Sequence, residues 1–101
     1  MGVKASSINE GKELLLRISG RFDHTTMAEF RAAYENPQRR PDTYIVDFQD
    51  ITYLDSSGLS MLLLLHVHAG QRKYRVQVVN ARPDVLRSLE IAKFGELFDI
   101  R

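Results

Sequence analysis

The chain has 101 residues, 44% of them hydrophobic and 27% charged, a composition that builds a core and excludes disordered and fibrous classes; a single domain over residues 1–101 is expected. Lys and Arg number 14 against 13 Asp and Glu, a net charge of +1, so no long-range field holds a polyanion and direct nucleic-acid binding is not expected. The absence of Cys removes disulfides, thiolate metal sites and a thiol nucleophile, and fits a reducing compartment, hence a cytoplasmic address. The longest apolar run, Met61 to Leu65, is far short of the ~20 residues of a membrane span. Met1 to Ser6 fit a short myristoylation pattern, but nothing else suggests attachment, and no membrane partner is expected.

Val3 to Ile8 reads as a short strand and Asn9-Glu10-Gly11 as the turn after it. Leu14, Leu16 and Ile18 alternate with Glu13, Leu15, Arg17 and Ser19, the period of two of a second strand. The two form an antiparallel hairpin, closed by Gly20. Asp23 or Thr25 then caps a helix whose apolar positions Met27, Phe30, Ala33 and Tyr34 recur at helical spacing, ending near Glu35. Asn36 to Asp42, with two Pro and the pair Arg39-Arg40, is a solvated connection.

Thr43 to Phe48 is apolar on both sides apart from Asp47, as expected of a central strand covered on both faces. A short link leads to Ile51 to Leu54, then to the turn Asp55-Ser56-Ser57-Gly58 and a helix from Leu59 to Ala69 that stops at Gly70. Arg72-Lys73-Tyr74-Arg75 reads as a solvated loop, Tyr74 to Val79 as the fourth strand. Pro83 opens a helix with a buried stripe of Val85, Leu86, Leu89 and Ile91, and Leu97 to Ile100 make a last short strand. The order ββαβαβαβ implies an α/β fold with a mixed sheet: an antiparallel N-terminal hairpin, then strands joined by crossover helices packed against the sheet.

Chemistry concentrates at Asp55-Ser56-Ser57-Gly58-Leu59, where a buried strand hands over to a helix whose first amides point outward. Such a start is a ready anion site; equally, Asp55 or Ser56 serves as an N-cap worth about 1 kcal/mol. In the helix that follows, at about 100° per residue, Leu59, Leu62, Leu63 and His66 share the expected core face. Met61, Leu64 and Leu65 point elsewhere. They are either enclosed or form an exposed apolar patch beside Ser56 that would mark a partner surface.

Gly20-Arg21-Phe22-Asp23-His24-Thr25-Thr26 before a helix, Val46-Asp47-Phe48, and Leu54-Asp55-Ser56-Ser57-Gly58-Leu59 together resemble the STAS-domain anti-sigma factor antagonists, over nearly the whole chain. The resemblance implies a non-enzymatic, bacterial, cytoplasmic module that binds an anti-sigma factor with serine kinase activity. It implies that this kinase phosphorylates the first Ser of the turn, here Ser56, and that a PP2C-type serine phosphatase reverses the step. Asp23 matches the acidic residue beside the turn, Asp55 is the turn's own carboxylate, and Ser57 and Gly58 complete the motif; Met61 and Leu65 are candidate contacts next to it. Many relatives continue into another helix beyond the last strand, so the sheet edge at residue 101 is expected to be barer or paired. The alternative within the same fold is an accessory or regulatory STAS subunit of a transporter complex with no phosphorylation cycle.

A phosphate on Ser56 would add about −1.5 to −2 charges. The helix start favours it by about 0.3–1 kcal/mol, whereas Asp23 and Asp55 oppose it, so phosphorylation is expected to block binding at the interface and to leave the fold intact. Other chemistries fit poorly. His66 and His68 lie about 200° apart on a helix and do not converge on one metal ion. Leu54 stands where a nucleophile elbow needs its first Gly, and no phosphate loop of the G-x-x-x-x-G-K-[ST] type occurs. No cofactor or metal is expected.

Overall fold

The computed structural model describes residues 2–36, 38 and 41–101. Pro37 and the pair Arg39-Arg40, part of the expected solvated connection, lie outside the described residues. The five strands β1 (Val3–Ile8), β2 (Glu13–Phe22), β3 (Thr43–Leu54), β4 (Val76–Val79) and β5 (Asp99–Ile100) form one sheet in chain order, β1-β2-β3-β4-β5. β1 is antiparallel to β2, from Val3↔Ile18 to Ile8↔Glu13, and all later pairs are parallel. This is the ββαβαβαβ order expected. Asn9, Glu10 and Gly11 take positive φ values of 52, 59 and 84° to close the hairpin.

Three helices, α1 (Met27–Tyr34), α2 (Ser56–His68) and α3 (Pro83–Ile91), carry the crossovers between parallel neighbours. Each crossover steps the same way across the sheet, and right-handed connections then place all three helices on one face. The pattern of burial agrees: Leu14, Leu16 and Ile18 of β2, Tyr44, Val46 and Phe48 of β3, and Val76 and Val78 of β4 are buried beneath the helices. Leu15, Ile45 and Gln77 on the opposite face are only half-buried. The expectation that β3 is covered on both faces is therefore corrected, since no crossover lies on that side. Asp47 is nonetheless buried there, beneath Arg17 at 3.4 Å and Asn80 Nδ2 at 3.0 Å. The centre of the core is aromatic, with the Phe22 ring 5.0 Å from Phe30 and 5.4 Å from Phe48.

Several boundaries differ from the sequence reading. Thr43 to Phe48 and Ile51 to Leu54 are one strand, β3, of 12 residues. The expected link is absorbed by two shifts of register against β2, between Arg17↔Asp47 and Ser19↔Asp50 and between Gly20↔Ile51 and Arg21↔Tyr53. An extra residue at a bulge turns the following side chains to the other face, which is why Phe48 and Ile51, three apart, are both buried. Gly20, at φ +80°, lies inside β2 at the second shift rather than closing the strand. A 3₁₀ turn over His24–Thr26 precedes α1. Tyr74, at φ 68°, delays β4 to Val76. A second 3₁₀ turn over Phe94–Glu96 shortens β5 to Asp99–Ile100; its Phe94 is buried in the core, whereas Ile91, expected there, is 75% exposed.

Candidate functional site

β2 and β3 run side by side to a common end at Phe22↔Leu54. One residue further, each chain turns into its helical segment at an Asp in extended conformation, Asp23 at φ −142° and Asp55 at φ −130°. Both act as N-caps, satisfying amides that a helix start leaves without intrahelical partners. Asp55 Oδ1 accepts from Gly58 N at 3.1 Å. Asp23 Oδ1 accepts from Thr25 N at 3.0 Å and from the Thr25 hydroxyl at 2.5 Å, while Oδ2 accepts from Arg21 Nε at 2.8 Å. Thr25 is thus a donor to the Asp23 cap rather than an alternative to it. The Thr25 hydroxyl first, and Arg21 second, hold the Asp23 carboxyl at about 2.

The glycine of the turn has a packing task. A Cβ on Gly58 would lie 2.4 Å from the Phe22 carbonyl oxygen, 2.6 Å from Leu54 Cδ1 and 3.0 Å from Phe22 Cδ2. Only a residue without Cβ lets α2 settle this closely on the end of β2, and that contact fixes the rotation of the helix. The buried side of α2 is the side of Gly58, carrying Met61, Leu62, Leu65 and His66. Ser56, about 200° round the helix from Gly58 at 100° per residue, faces solvent. Its hydroxyl makes no side-chain hydrogen bond among the described residues, and it is exposed whereas Ser57 is half-buried.

The same rotation corrects the expected core stripe. Met61 and Leu65, taken as candidate contacts, are 1% and 0% exposed and belong to the core, whereas Leu63, assigned to the core, is 39% exposed. The apolar side chains that α2 presents to solvent are Leu63, Leu64 and Val67. The sequence reading took Gly58 as the end of a turn, and without its contact to Phe22 the orientation of an almost wholly apolar helix is not fixed. The structure therefore brings Asp23, Asp55, Ser56, Ser57 and Gly58 to one rim of the sheet and sends Met61 and Leu65 beneath it.

One feature of the rim was not singled out beforehand. Arg21 and Tyr53 are register partners, and the Arg21 guanidinium carbon sits 4.0 Å from the Tyr53 ring centroid, a cation–π arrangement. The strand pairing that joins them is parallel and non-local, and only the i, i+2 spacing of Arg21 and Asp23 at the end of β2 hints at it. His66 packs against Phe98 and His68 against Tyr34, and among the described residues no group of three or more His, Cys, Asp or Glu is placed to hold a metal ion. No helix among the described residues is long and apolar enough to cross a membrane.

A mixed sheet wound this way, with a serine at the capped helix start on its rim, defines a class that similar proteins make specific. The family model described as Mlab, STAS domain matches residues 8–99, and the chain belongs to the STAS-domain family. A STAS-domain containing protein of Pseudomonas aeruginosa (strain UCBPP-PA14) is 43% identical over 100 residues, 99% of each chain. An anti-sigma F factor antagonist of Paenibacillus polymyxa is 29% identical over 89 residues, 86% of this chain and 76% of its own. Among solved structures, the anti-sigma factor antagonist SpoIIAA in its unphosphorylated form matches with a TM-score of 0.80 at 20% identity, over 98% of this chain and 87% of that one. The phosphorylated form of the Bacillus cell fate determinant SpoIIAA matches with a TM-score of 0.70 at 18% identity, over 98% and 90%. These structures establish the shared fold.

Proposed function

We propose that this STAS domain is a non-enzymatic anti-sigma factor antagonist, a module that binds an anti-sigma factor with serine kinase activity while Ser56 is unmodified and is released when Ser56 is phosphorylated. A PP2C-type phosphatase restores the binding form. The observation that carries this reading is the placement of Ser56: first residue of α2, turned to solvent by the Gly58 contact, with the Asp55 carboxylate occupied on Gly58 N. The relative named as an anti-sigma F factor antagonist supports the partner class.

The same placement explains how one phosphate switches binding. The hydroxyl lies on the outer face of α2 in line with Leu63 and Val67, so a partner covering that face meets it directly. Two negative charges there impose bulk and uncompensated desolvation on a surface shaped for a neutral hydroxyl, while Met61, Leu62 and Leu65 stay packed beneath. The test is incubation with the candidate kinase followed by intact-mass measurement and a binding titration. A gain of one phosphate that Ser56→Ala abolishes, with Ser56→Ala still binding and Ser56→Asp binding more weakly, is expected. Equal binding by Ser56→Asp and the unmodified protein refutes the switch. Stable attachment to a membrane ATPase with Ser56 unmodified identifies a transporter accessory subunit instead.

A further inference from the structure

Among the described residues, the rim carries one cation whose donors are mostly unspent. Arg21 uses Nε on Asp23, and its two terminal amino groups make no hydrogen bond among the described residues. Its side chain is 60% exposed, yet it is held in place from two sides, by the Tyr53 ring at 4.0 Å and by the Asp23 carboxylate, itself fixed by Thr25. The hydrogen bond to Asp23 leads the influences that raise the Arg21 pKa, and the charge of Asp55, the residue before Ser56, adds to them. Ser56 lies three residues beyond Tyr53, a span of at most about 11 Å.

The geometry points to Arg21 as the residue that receives the phosphate of Ser56: its outer guanidinium edge pairs with the phosphate oxygens in cis while Nε keeps Asp23. This rests on the reading of Ser56 as the modified residue. A planar fork with both terminal amino groups free suits a phosphate dianion, and a guanidinium already positioned by a ring and a carboxylate loses little side-chain freedom on pairing. Arg21 offsets the repulsion from Asp23 and Asp55 that the phosphate otherwise meets, so the modified protein keeps its fold. It also withdraws the guanidinium from the surface offered to a partner, so modification changes that surface twice, by adding an anion and by occupying a cation.

The experiment installs phosphoserine at position 56 during synthesis of the full chain and follows its second ionisation, about 6 in an unperturbed phosphoserine, by ³¹P resonance against pH. The wild-type background is expected to titrate at least about half a unit lower than Arg21→Gln, with Arg21→Lys between them and the difference shrinking in high salt. Coincident titrations in wild type and Arg21→Gln overturn the proposal. If Arg21→Gln does not fold, Arg21→Lys decides it, because a lysine lacks the fork: a curve identical to wild type then overturns it and a raised one supports it. The phosphate is placed without a kinase, so coincident curves remove the role of Arg21 and leave Ser56 as the kinase target standing, whereas a kinase that leaves Ser56 unmodified removes that target whatever the titration gives.

Discussion

Replacing Gly58 by Ala probes the contact on which the orientation of the site depends. The added Cβ would stand 2.4 Å from the Phe22 carbonyl oxygen and 2.6 Å from Leu54 Cδ1. The first of these is backbone, paired with β3 at Leu54, and cannot rotate away as a side chain would, so the start of α2 must lift or the end of β2 must bend. Overpacking of this kind costs about 1–3 kcal/mol, and a backbone obstacle places the change near the upper end. The better helix propensity of Ala returns at most about 1 kcal/mol, leaving a net loss of ~2 kcal/mol. For a domain of this size that lowers Tm by roughly 8–16 °C. Differential scanning calorimetry, with urea denaturation as a second measure, gives the value. An unchanged or raised Tm would refute the claim that Gly58 seats α2 against Phe22, and with it the account of why Ser56 faces outward.

Further expectations follow from the same placements. Leu65→Ala should cost about 2–5 kcal/mol in urea denaturation as a core truncation, whereas Leu64→Ala should stay within about 0.5 kcal/mol and weaken partner binding instead; equal stability losses would return the helix to the orientation first expected. Asp23 in the folded protein titrates at about 2 against an ordinary value of 3.8, so its carboxylate contributes stability above pH 4 and loses that contribution as pH falls through 2. The Tm difference between wild type and Asp23→Asn should therefore shrink on acidification from pH 4 to pH 2, and a difference that grows over that window contradicts the ion-paired cap. Ser56→Glu should weaken the partner complex in a titration without lowering Tm by more than a few degrees, since the hydroxyl it replaces has no side-chain hydrogen bond among the described residues; a large loss of Tm would make Ser56 a structural residue.

The order of elements was legible because each strand and helix carries its own period: alternation over Leu14 to Ile18, helical spacing from Met27 to Tyr34, and the stop at Gly70. The turn was legible because a carboxylate that caps a helix start is a matter of local chemistry, whereas the packing task of Gly58 against Phe22 was not. Rotation and register were not. α2 is apolar nearly all round, so its periodicity does not choose between Leu63 and Leu65, and the choice is made by Phe22, more than thirty residues earlier in the chain. The two register shifts in β3 likewise leave no local mark, because an inserted residue in a strand is visible only against its partner. Arg21 was passed over for the same reason: its meaning lies in Tyr53, across a parallel pairing. Ile91 was placed in the core by helical spacing, but α3 ends there and Phe94 reaches the core from the turn that follows.

The unequal lengths of the strands have a mechanical side. β4 pairs with β3 only from Tyr44 to Asp47, while β2 accompanies β3 on to Leu54. The serine therefore sits at the tip of a two-stranded ribbon that projects past its second strand neighbour and is jointed by two bulges. A ribbon so anchored should bend more easily than the sheet it grows from, and its amides are expected to exchange with solvent through smaller openings than those of Tyr44 to Asp47. On the proposed reading of Ser56, a partner can then displace the tip while the packed layer beneath the helices stays still, and a phosphate there would be added where the molecule yields at least cost to its core.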